Sequence, residues 1–275
     1  MRFIRTALFL TSVATLSGCI VVASPSHADF HIQRELSLDA AQLALLSVET
    51  GAGDLIIRGK KGLTEIQVKA DIYTDSKKKD EFELSLNTSS TGKAKLVANI
   101  NNNSGFWIGN SPHIDITVYV PEVMMLSIDD GSGEIEVSNI NAGVDIKDGS
   151  GDLSIVDING DLNISDGSGE LSIENVVGNV DIEDGSGEIT ISSISGDVVI
   201  EDGSGEIYAK QISGNANIDD GSGDLTVRNV TGLVVINDGS GNIDVKYVGG
   251  LKIEEAGSGS LIVKNVEGGF EIDSE

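Results

Sequence analysis

The amino-acid sequence predicts an all-β protein, a flattened β-solenoid of about eight 18-residue coils that follows an irregular N-terminal β region. The first observation is a Gly-Ser-Gly triplet that recurs every 18 residues, with its first glycine at Gly131, Gly149, Gly167, Gly185, Gly203, Gly221, Gly239 and Gly257. The second is that each unit divides into two halves of nine residues, and both halves carry the apolar-x-apolar run of a short strand with one buried face. Because the spacing shows no drift in loop length, every copy is expected to occupy the same place in a stack of coils.

The N-terminus has the features of an export signal. Residues 1–18 are predicted to be a lipoprotein signal peptide, in which Arg2 and Arg5 precede an apolar stretch. The following Leu16-Ser17-Gly18-Cys19 matches the bacterial lipoprotein box, so Cys19, the single cysteine of the chain, is the predicted lipidation site. This predicts an outer-membrane lipoprotein that faces the periplasm or the cell surface. The alternative is cleavage after Ala28, which would release a soluble periplasmic or secreted protein.

The region before the regular repeats contains a related but less regular pattern. Residues 19–40 are interpreted as a tether and an N-terminal strand. Residues 41–125 are interpreted as an N-terminal β region, because 46–57 repeats the pattern of 126–137 and therefore predicts a first coil. A long excursion over 59–125 then separates this coil from the next. Its strand-like runs are expected to cap the N-terminal end of the core.

The regular solenoid is predicted to span residues 126–275. Val198 and Ile200 show the apolar pattern of the first half-coil, and Leu171 and Ile173 show that of the second. The first half closes on glycine and the second on a branched aliphatic residue, namely Ile140, Ile158, Val176, Ile194, Ile212, Val230, Val248 or Val266. One corner of each coil is therefore predicted to be tight and glycine-rich, and the other to be filled by an inward aliphatic side chain.

One half-coil near the C-terminus departs from the pattern. Lys252 and Glu254 occupy the positions where apolar residues are expected, while Leu251 and Ile253 come one residue early. A one-residue slip of the strand would return both aliphatic side chains to the core. We therefore expect a β-bulge at this point.

The charge balance restricts the classes of partner. The chain has 44 acidic residues against 18 basic ones, a net charge of −26. This excludes nucleic acid and anionic lipid surfaces as natural partners, so the membrane is reached only through the lipid anchor. Divalent cations and basic protein surfaces are more compatible. Lys77-Lys78-Lys79 is interpreted as the sole basic cluster, on a solvated hairpin tip.

Acidic residues recur at the Gly-Ser-Gly corner in two predicted columns. The aspartate column precedes the triplets and consists of Asp130, Asp148, Asp166, Asp184, Asp202, Asp220 and Asp238. The glutamate-rich column follows them and consists of Glu134, Asp152, Glu170, Glu188, Glu206 and Asp224. One interpretation is a calcium site, because calcium takes carboxylate and carbonyl oxygens in flexible geometry. The other is local turn chemistry at an exposed, water-screened corner. The known calcium-binding nonapeptide has an aspartate where this repeat has Ile135, so no cofactor is predicted and calcium remains the alternative.

A second candidate site is the loop over residues 101–110. Phe106, Trp107 and Ile108 form an aromatic and apolar cluster between asparagine and glycine residues, and Trp107 is the single tryptophan. Exposed clusters of this type anchor partners. The alternative is that the cluster folds back over the N-terminal end of the solenoid.

The sequence contains no recognisable catalytic pattern. Its three histidines, His27, His31 and His113, are not accompanied by a nucleophile at a familiar spacing, and the Gly-Ser-Gly triplets lack the lysine and the helix of a nucleotide loop. We therefore predict a non-enzymatic protein. A polysaccharide-active enzyme is the remaining alternative, since paired carboxylates can perform that chemistry.

The Gly-Ser-Gly-acid-aliphatic-x-Val repeats, with intervening Gly-(Asp/Asn)-Val-x-Ile segments, resemble the bacterial "putative adhesin" β-strand-repeat family, a domain of unknown function. The resemblance covers residues 40–275 and includes the strand that ends in Val118-Tyr119-Val120-Pro121. It implies a scaffold or an adhesin-like binding module of the cell envelope, with a protein or glycan partner, and it supplies no site residues. A divalent-cation-binding envelope protein is the alternative function.

Overall fold

The computed structural model describes residues 29–75, 82–100 and 111–273. Every regular element in these ranges is a β-strand, which confirms the predicted all-β solenoid. None of the described elements is a helix that could cross a bilayer. Cys19, the cluster of Phe106, Trp107 and Ile108, and the three lysines 77–79 lie outside the described residues.

The N-terminal region contains seven strands. They are β1 (Asp29–Asp39), β2 (Leu45–Thr50), β3 (Leu55–Lys60), β4 (Glu65–Asp75), β5 (Phe82–Ser90), β6 (Lys93–Ile100) and β7 (His113–Pro121).

The solenoid contributes fifteen strands, most of them five or six residues long. They are β8 (Met125–Asp130), β9 (Ile135–Ile140), β10 (Val144–Asp148), β11 (Leu153–Ile158), β12 (Leu162–Asp166), β13 (Leu171–Val176), β14 (Val180–Asp184), β15 (Ile189–Ile194), β16 (Val198–Asp202), β17 (Ile207–Ile212), β18 (Ala216–Asp220), β19 (Leu225–Asp238), β20 (Ile243–Ala256), β21 (Leu261–Val266) and β22 (Phe270–Ile272). Strands β19 and β20 each continue around a corner and supply both half-coils of their turn.

The coils stack in parallel with an 18-residue register. Val180 pairs with Val198, and Ile182 pairs with Ile200, so identical positions of successive coils are direct neighbours. Even-numbered strands β8 to β18, the second halves of β19 and β20, and β22 form what we call the first sheet. Odd-numbered strands β9 to β17, the first halves of β19 and β20, and β21 form the second sheet. The side chains between the two sheets make one continuous apolar core.

The N-terminal strands extend both sheets. Strand β2 pairs in parallel with β8, and β3 with β9, so these two strands form a coil of the same stack. The excursion then places β6 beside β2 and β7 beside β3, again in parallel. Strand β5 pairs antiparallel with β6, β4 antiparallel with β7, and β1 antiparallel with β4. The stack therefore changes from parallel coils to antiparallel strands at its N-terminal end.

A left-handed residue shapes the aliphatic corner of every regular coil, from β9 to β21. Alternation along β17 points Ile207 and Ala209 inward, and would next point Gln211 inward and Ile212 outward. Gln211 instead has φ of 58°, which reverses the order and buries Ile212. The same conformation, with φ from 58° to 62°, occurs once per coil, at Asn139, Asp157, Asn175, Ser193, Gln211, Asn229, Tyr247 and Asn265. The sequence showed the inward aliphatic residue but not the bend that produces it.

The C-terminal coils contain the predicted irregularity. Val230 pairs with Val248, but the next segment pairs one residue early, so that Leu251 lies beside Val234. The pairing returns to the 18-residue register after Ile253, and both Leu251 and Ile253 are fully buried. The predicted slip and bulge are therefore confirmed. The last coil has a neighbour on one side only, and its inward residues remain partly exposed, including Phe270 at 50%.

Candidate functional site

The aspartate column is buried, which corrects the expectation of an exposed and water-screened corner. Its seven residues have relative exposures between 0% and 7%. The reason is strand alternation: Val198, Ile200 and Asp202 are successive inward residues of β16, so the aspartate is the last inner position before the Gly-Ser-Gly corner. The same alternation is present in the sequence and predicts that the column occupies a core position.

Each carboxylate of the column has one oxygen in use at most. In the five residues from Asp166 to Asp238, Oδ1 accepts a hydrogen bond from the backbone N–H of the serine two residues later, at 2.9–3.3 Å. This is the local turn chemistry that the sequence suggested. Oδ2 is buried without a hydrogen-bond partner in all seven residues. Unpartnered buried carboxylate oxygens are costly and call for an explanation.

Burial and mutual repulsion raise the pKa values along the column. Desolvation, followed by the charges of Asp130 and Asp166, raises the pKa of Asp148 to about 7. Desolvation, followed by the charge of Asp184, raises the pKa of Asp202 to about 6. Desolvation, followed by the charges of Asp202 and Asp238, raises the pKa of Asp220 to about 6. Burial is also the main cause of the raised pKa of the other members, Asp130, Asp166, Asp184 and Asp238.

The described ranges contain no group of three or more His, Cys, Asp or Glu side chains arranged to hold a metal ion. Calcium prefers six to eight oxygen ligands. Calcium binding by the aspartate column therefore stays a prediction.

The acidic residues outside the core have a different arrangement. The glutamate-rich column lies on the exposed side of the corner. At the opposite corner, Asp161, Asn179, Asp197 and Asn215 alternate in successive coils. The side-chain oxygen of each accepts the backbone N–H of the next coil, at 2.7–3.0 Å. In this exposed column, an amide separates each carboxylate from the next, so adjacent charges do not meet.

A basic row crosses the outer face of the second sheet. It consists of Lys210, Arg228, Lys246 and Lys264, which pair with one another in register across four strands. The interpretation of the three lysines 77–79 as the sole basic cluster was therefore wrong. The four residues are 18 positions apart in the chain and become neighbours only when the coils stack, so the repeat period itself was the signal that could have revealed them.

The basic row lies beside hydroxyl and aromatic groups. Asp244 pairs with both Arg228 and Lys246, with N–O distances of 3.2 and 2.5 Å. Tyr208 is 37% exposed, and its hydroxyl donates to the carboxylate of Glu206 at 2.6 Å. A shallow depression of about 430 Å³ runs over this surface, lined by Glu188, Thr190, Tyr208, Ala209, Lys210, Thr226 and Arg228.

A stack of three rings lies on the antiparallel strands at the N-terminal end. Tyr73 stacks between His31 and His113, with ring centroids 4.7 and 4.6 Å apart. Asp71 lies 2.6 Å from Nε2 of His31, and Asp115 lies 3.8 Å from Nε2 of His113. Burial, followed by the charges of the two aspartates, raises the pKa of Tyr73. Antiparallel pairing brings these residues together from three distant segments, so the sequence did not reveal the stack.

Several solved bacterial structures are similar to this chain. One is described as a "putative adhesin" from Bacteroides fragilis NCTC 9343, with 14% identity and a TM-score of 0.40, covering 88% of this chain and 97% of the other. A "putative lipid binding protein" from Parabacteroides distasonis ATCC 8503 has 15% identity, a TM-score of 0.46 and the same two coverages. A "putative cell adhesion protein" from Clostridium sporogenes ATCC 15579 has 12% identity and a TM-score of 0.36, covering 85% and 99%.

Among curated proteins, no match to this chain was found. The family model described as Toastrack DUF4097, a domain of unknown function, matches residues 44–268, which include the first coil, the excursion and nearly all of the regular solenoid. With its Gly-Ser-Gly repeats stacked as parallel coils, the chain belongs to the Toastrack DUF4097 family.

Proposed function

We propose that this protein is a non-enzymatic binding module of the cell envelope, and that it recognises an anionic glycan along the basic row. One observation carries the proposal: four of the six lysine and arginine residues in 126–275 lie in this single row. In a chain with a net charge of −26, such a concentration of positive charge marks one surface for an acidic partner.

The geometry of the row suits an extended polymer. Neighbouring strands lie about 4.7–4.9 Å apart, so the four side chains are spread over roughly 14 Å of a flat surface. Beside them, Thr190, Thr226 and Tyr208 present hydroxyl groups, and Tyr208 adds an exposed ring. Hydroxyl groups and an aromatic face are suited to sugars, while the cations are suited to carboxylate, sulfate or phosphate substituents.

The charges on the outer face of the first sheet also favour binding of an anionic partner at the basic row. The outer residues of the first sheet include Asp145, Asp181, Glu183, Glu201 and Asp219, with Lys147 and Lys252 among them. An anionic polymer is therefore repelled from the first sheet and attracted to the second. The overall negative charge also disfavours nucleic acid, whose charge density is higher than that of most glycans.

A binding assay with matched variants tests this proposal. We expect the purified protein to bind an immobilised polyuronate but not neutral dextran. Lys210→Ser with Lys264→Ser should weaken binding at least tenfold, because serine occupies this position in other coils and leaves the strand pairing intact. Lys93→Ser with Lys147→Ser removes the same charge from exposed positions outside the row and should change binding less than twofold. Equal losses in both double variants would reject a site on the basic row.

The proposal places the protein in the envelope through its predicted export signal. The basic residues Arg2 and Arg5, the apolar stretch and the box ending in Cys19 support export and lipidation. A lipid on Cys19 would anchor the protein to the membrane.

A divalent-cation-binding protein is the second candidate function. The observation that favours it is the set of unpartnered, buried Oδ2 atoms in the aspartate column. Melting temperatures at two pH values, with and without calcium, distinguish calcium from protons as the partners of these oxygens.

A further inference from the structure

We propose that the aspartate column is a buried chain of shared protons, in which a carboxylic acid of one coil donates to a carboxylate of the next. Loss of these protons as the pH rises weakens the solenoid. The column therefore makes the stability of the fold responsive to acidity. This inference is independent of the binding function proposed above.

The stacking places the carboxyl groups of successive coils next to one another along one line. Asp148 pairs in register with Asp130 on one side and with Asp166 on the other. Asp202 likewise lies between Asp184 and Asp220. Parallel neighbours are about 4.7–4.9 Å apart at the backbone. Each inner member of the column therefore has a carboxyl group of the neighbouring coil on both sides.

Burial makes an unshared charge at each position costly. Every member is more than nine-tenths buried, and Oδ2 of every member lacks a partner within the protein. A proton placed between two neighbouring carboxyl groups satisfies both: one Oδ2 becomes a donor and the other accepts. No bond other than the O–H bond forms or breaks, and the proton comes from solvent.

The surroundings supply no compensating cation. The charged residues beside the column on the first sheet are Asp129, Lys147, Glu183, Glu201, Asp219 and Glu255, whose side chains point away from the core, and Lys147 is the one cation among them. Across the corner lies the acidic, exposed glutamate-rich column. The column ends at Thr50 on one side and at Ala256 on the other, and both are uncharged.

The opposite corner shows which kind of hydrogen-bond donor the aspartate column lacks. There, Asp161, Asn179, Asp197 and Asn215 alternate, and the Asn215 amide donates to Asp197 at 3.1 Å. The aspartate column has seven carboxyl groups and no amide. A side-chain donor between adjacent members must therefore come from protonation. A metal ion is less suited, because no group of three ligating side chains forms among the described residues.

The direction of the pH effect follows from the raised pKa values. An unfolded aspartate titrates near 3.8, whereas Asp148 titrates at about 7 and Asp202 and Asp220 at about 6 in the folded protein. Between these values the folded state binds more protons than the unfolded state. The contribution of the column to stability is therefore fully present below about pH 4, and it is lost as the pH rises through about 6 to 7.

Thermal unfolding of the protein at pH 5 and pH 8.5, with and without calcium, tests the inference. We expect the melting temperature to be higher at pH 5 by at least about 5 °C. The variant Asp148→Asn, Asp184→Asn, Asp220→Asn imposes an alternating acid and amide pattern like that of the opposite corner. It should melt at a higher temperature than the natural protein at pH 8.5, and its pH dependence should be smaller.

A matched variant controls for general charge. Glu134→Gln, Glu170→Gln and Glu188→Gln remove the same number of charges from the exposed side of the corner and should leave most of the pH dependence in place.

If the triple asparagine variant does not fold, ¹³C NMR of labelled aspartate in the natural protein remains decisive, because protonated carboxyl signals should persist above pH 6. A stability that is flat or rises between pH 5 and 8.5 overturns the inference. Calcium-dependent stabilisation at pH 8.5 that the asparagine variant loses overturns it in favour of a metal.

Discussion

The carbonyl oxygen of Gly187 lies 1.6 Å from the point where a Cβ atom on Gly205 would stand. The two glycines occupy the third position of successive Gly-Ser-Gly triplets, and Gly205 has a φ of 154°. Equivalent glycines in the other regular coils are equally close to the coil before them, with the carbonyl oxygen between 1.5 and 2.1 Å from the added atom. The spacing between coils therefore depends on the absence of a side chain at this position.

Gly205→Ala is expected to destabilise the protein by at least about 3 kcal/mol, because the new methyl group meets backbone that cannot move without separating two coils. Chemical denaturation with circular dichroism measures the change. Gly269→Ala is the control, since no atom lies within 4 Å of its added Cβ, and it should have little effect. A loss below about 1 kcal/mol for Gly205→Ala would mean that the corners do not pack as described.

Gln211 tests the bend that returns Ile212 to the core. Its φ of 58° is costly for a residue with a side chain, and more so for a β-branched one. Gln211→Gly should raise the free energy of unfolding by roughly 0.5–1 kcal/mol, and Gln211→Val should lower it by about 1–2 kcal/mol. If Gln211→Val were more stable than Gln211→Gly, this residue would not adopt a left-handed conformation in solution. The same two substitutions at Lys210, its exposed neighbour in an ordinary strand conformation, are the control.

Cys19 tests the predicted route to the envelope. In the natural protein we expect a fatty-acid label to be incorporated and the protein to sediment with outer membranes. Cys19→Ser should abolish both, because a thiol is required for acylation. A protein released in soluble form with Asp29 as its first residue, in both the natural and variant forms, would instead establish cleavage after Ala28.

Some features of the candidate sites could be recognised from the repeat, and others could not. The inward position of Asp202 follows from the alternation Val198, Ile200, Asp202, so its burial was predictable, whereas turn chemistry alone predicts an exposed corner. The raised pKa of Asp148 was not predictable, because it depends on the packed distances to Asp130 and Asp166. The ring stack of His31, Tyr73 and His113 required the antiparallel register of three strands.

The sequence by itself determined the coil, its two strands, its glycine corner and the slip at Leu251, because these depend on an 18-residue period and on alternation within a few residues. Only the tertiary structure decided that Oδ2 of every member of the aspartate column lacks a hydrogen-bond partner, and that His31, Tyr73 and His113 stack on one another. The repeat period indicates which residues become neighbours in the stack, but not how their atoms are paired or how close they lie. Charge, burial and hydrogen bonding act over a few ångströms, so these properties arise only once the coils are packed against one another.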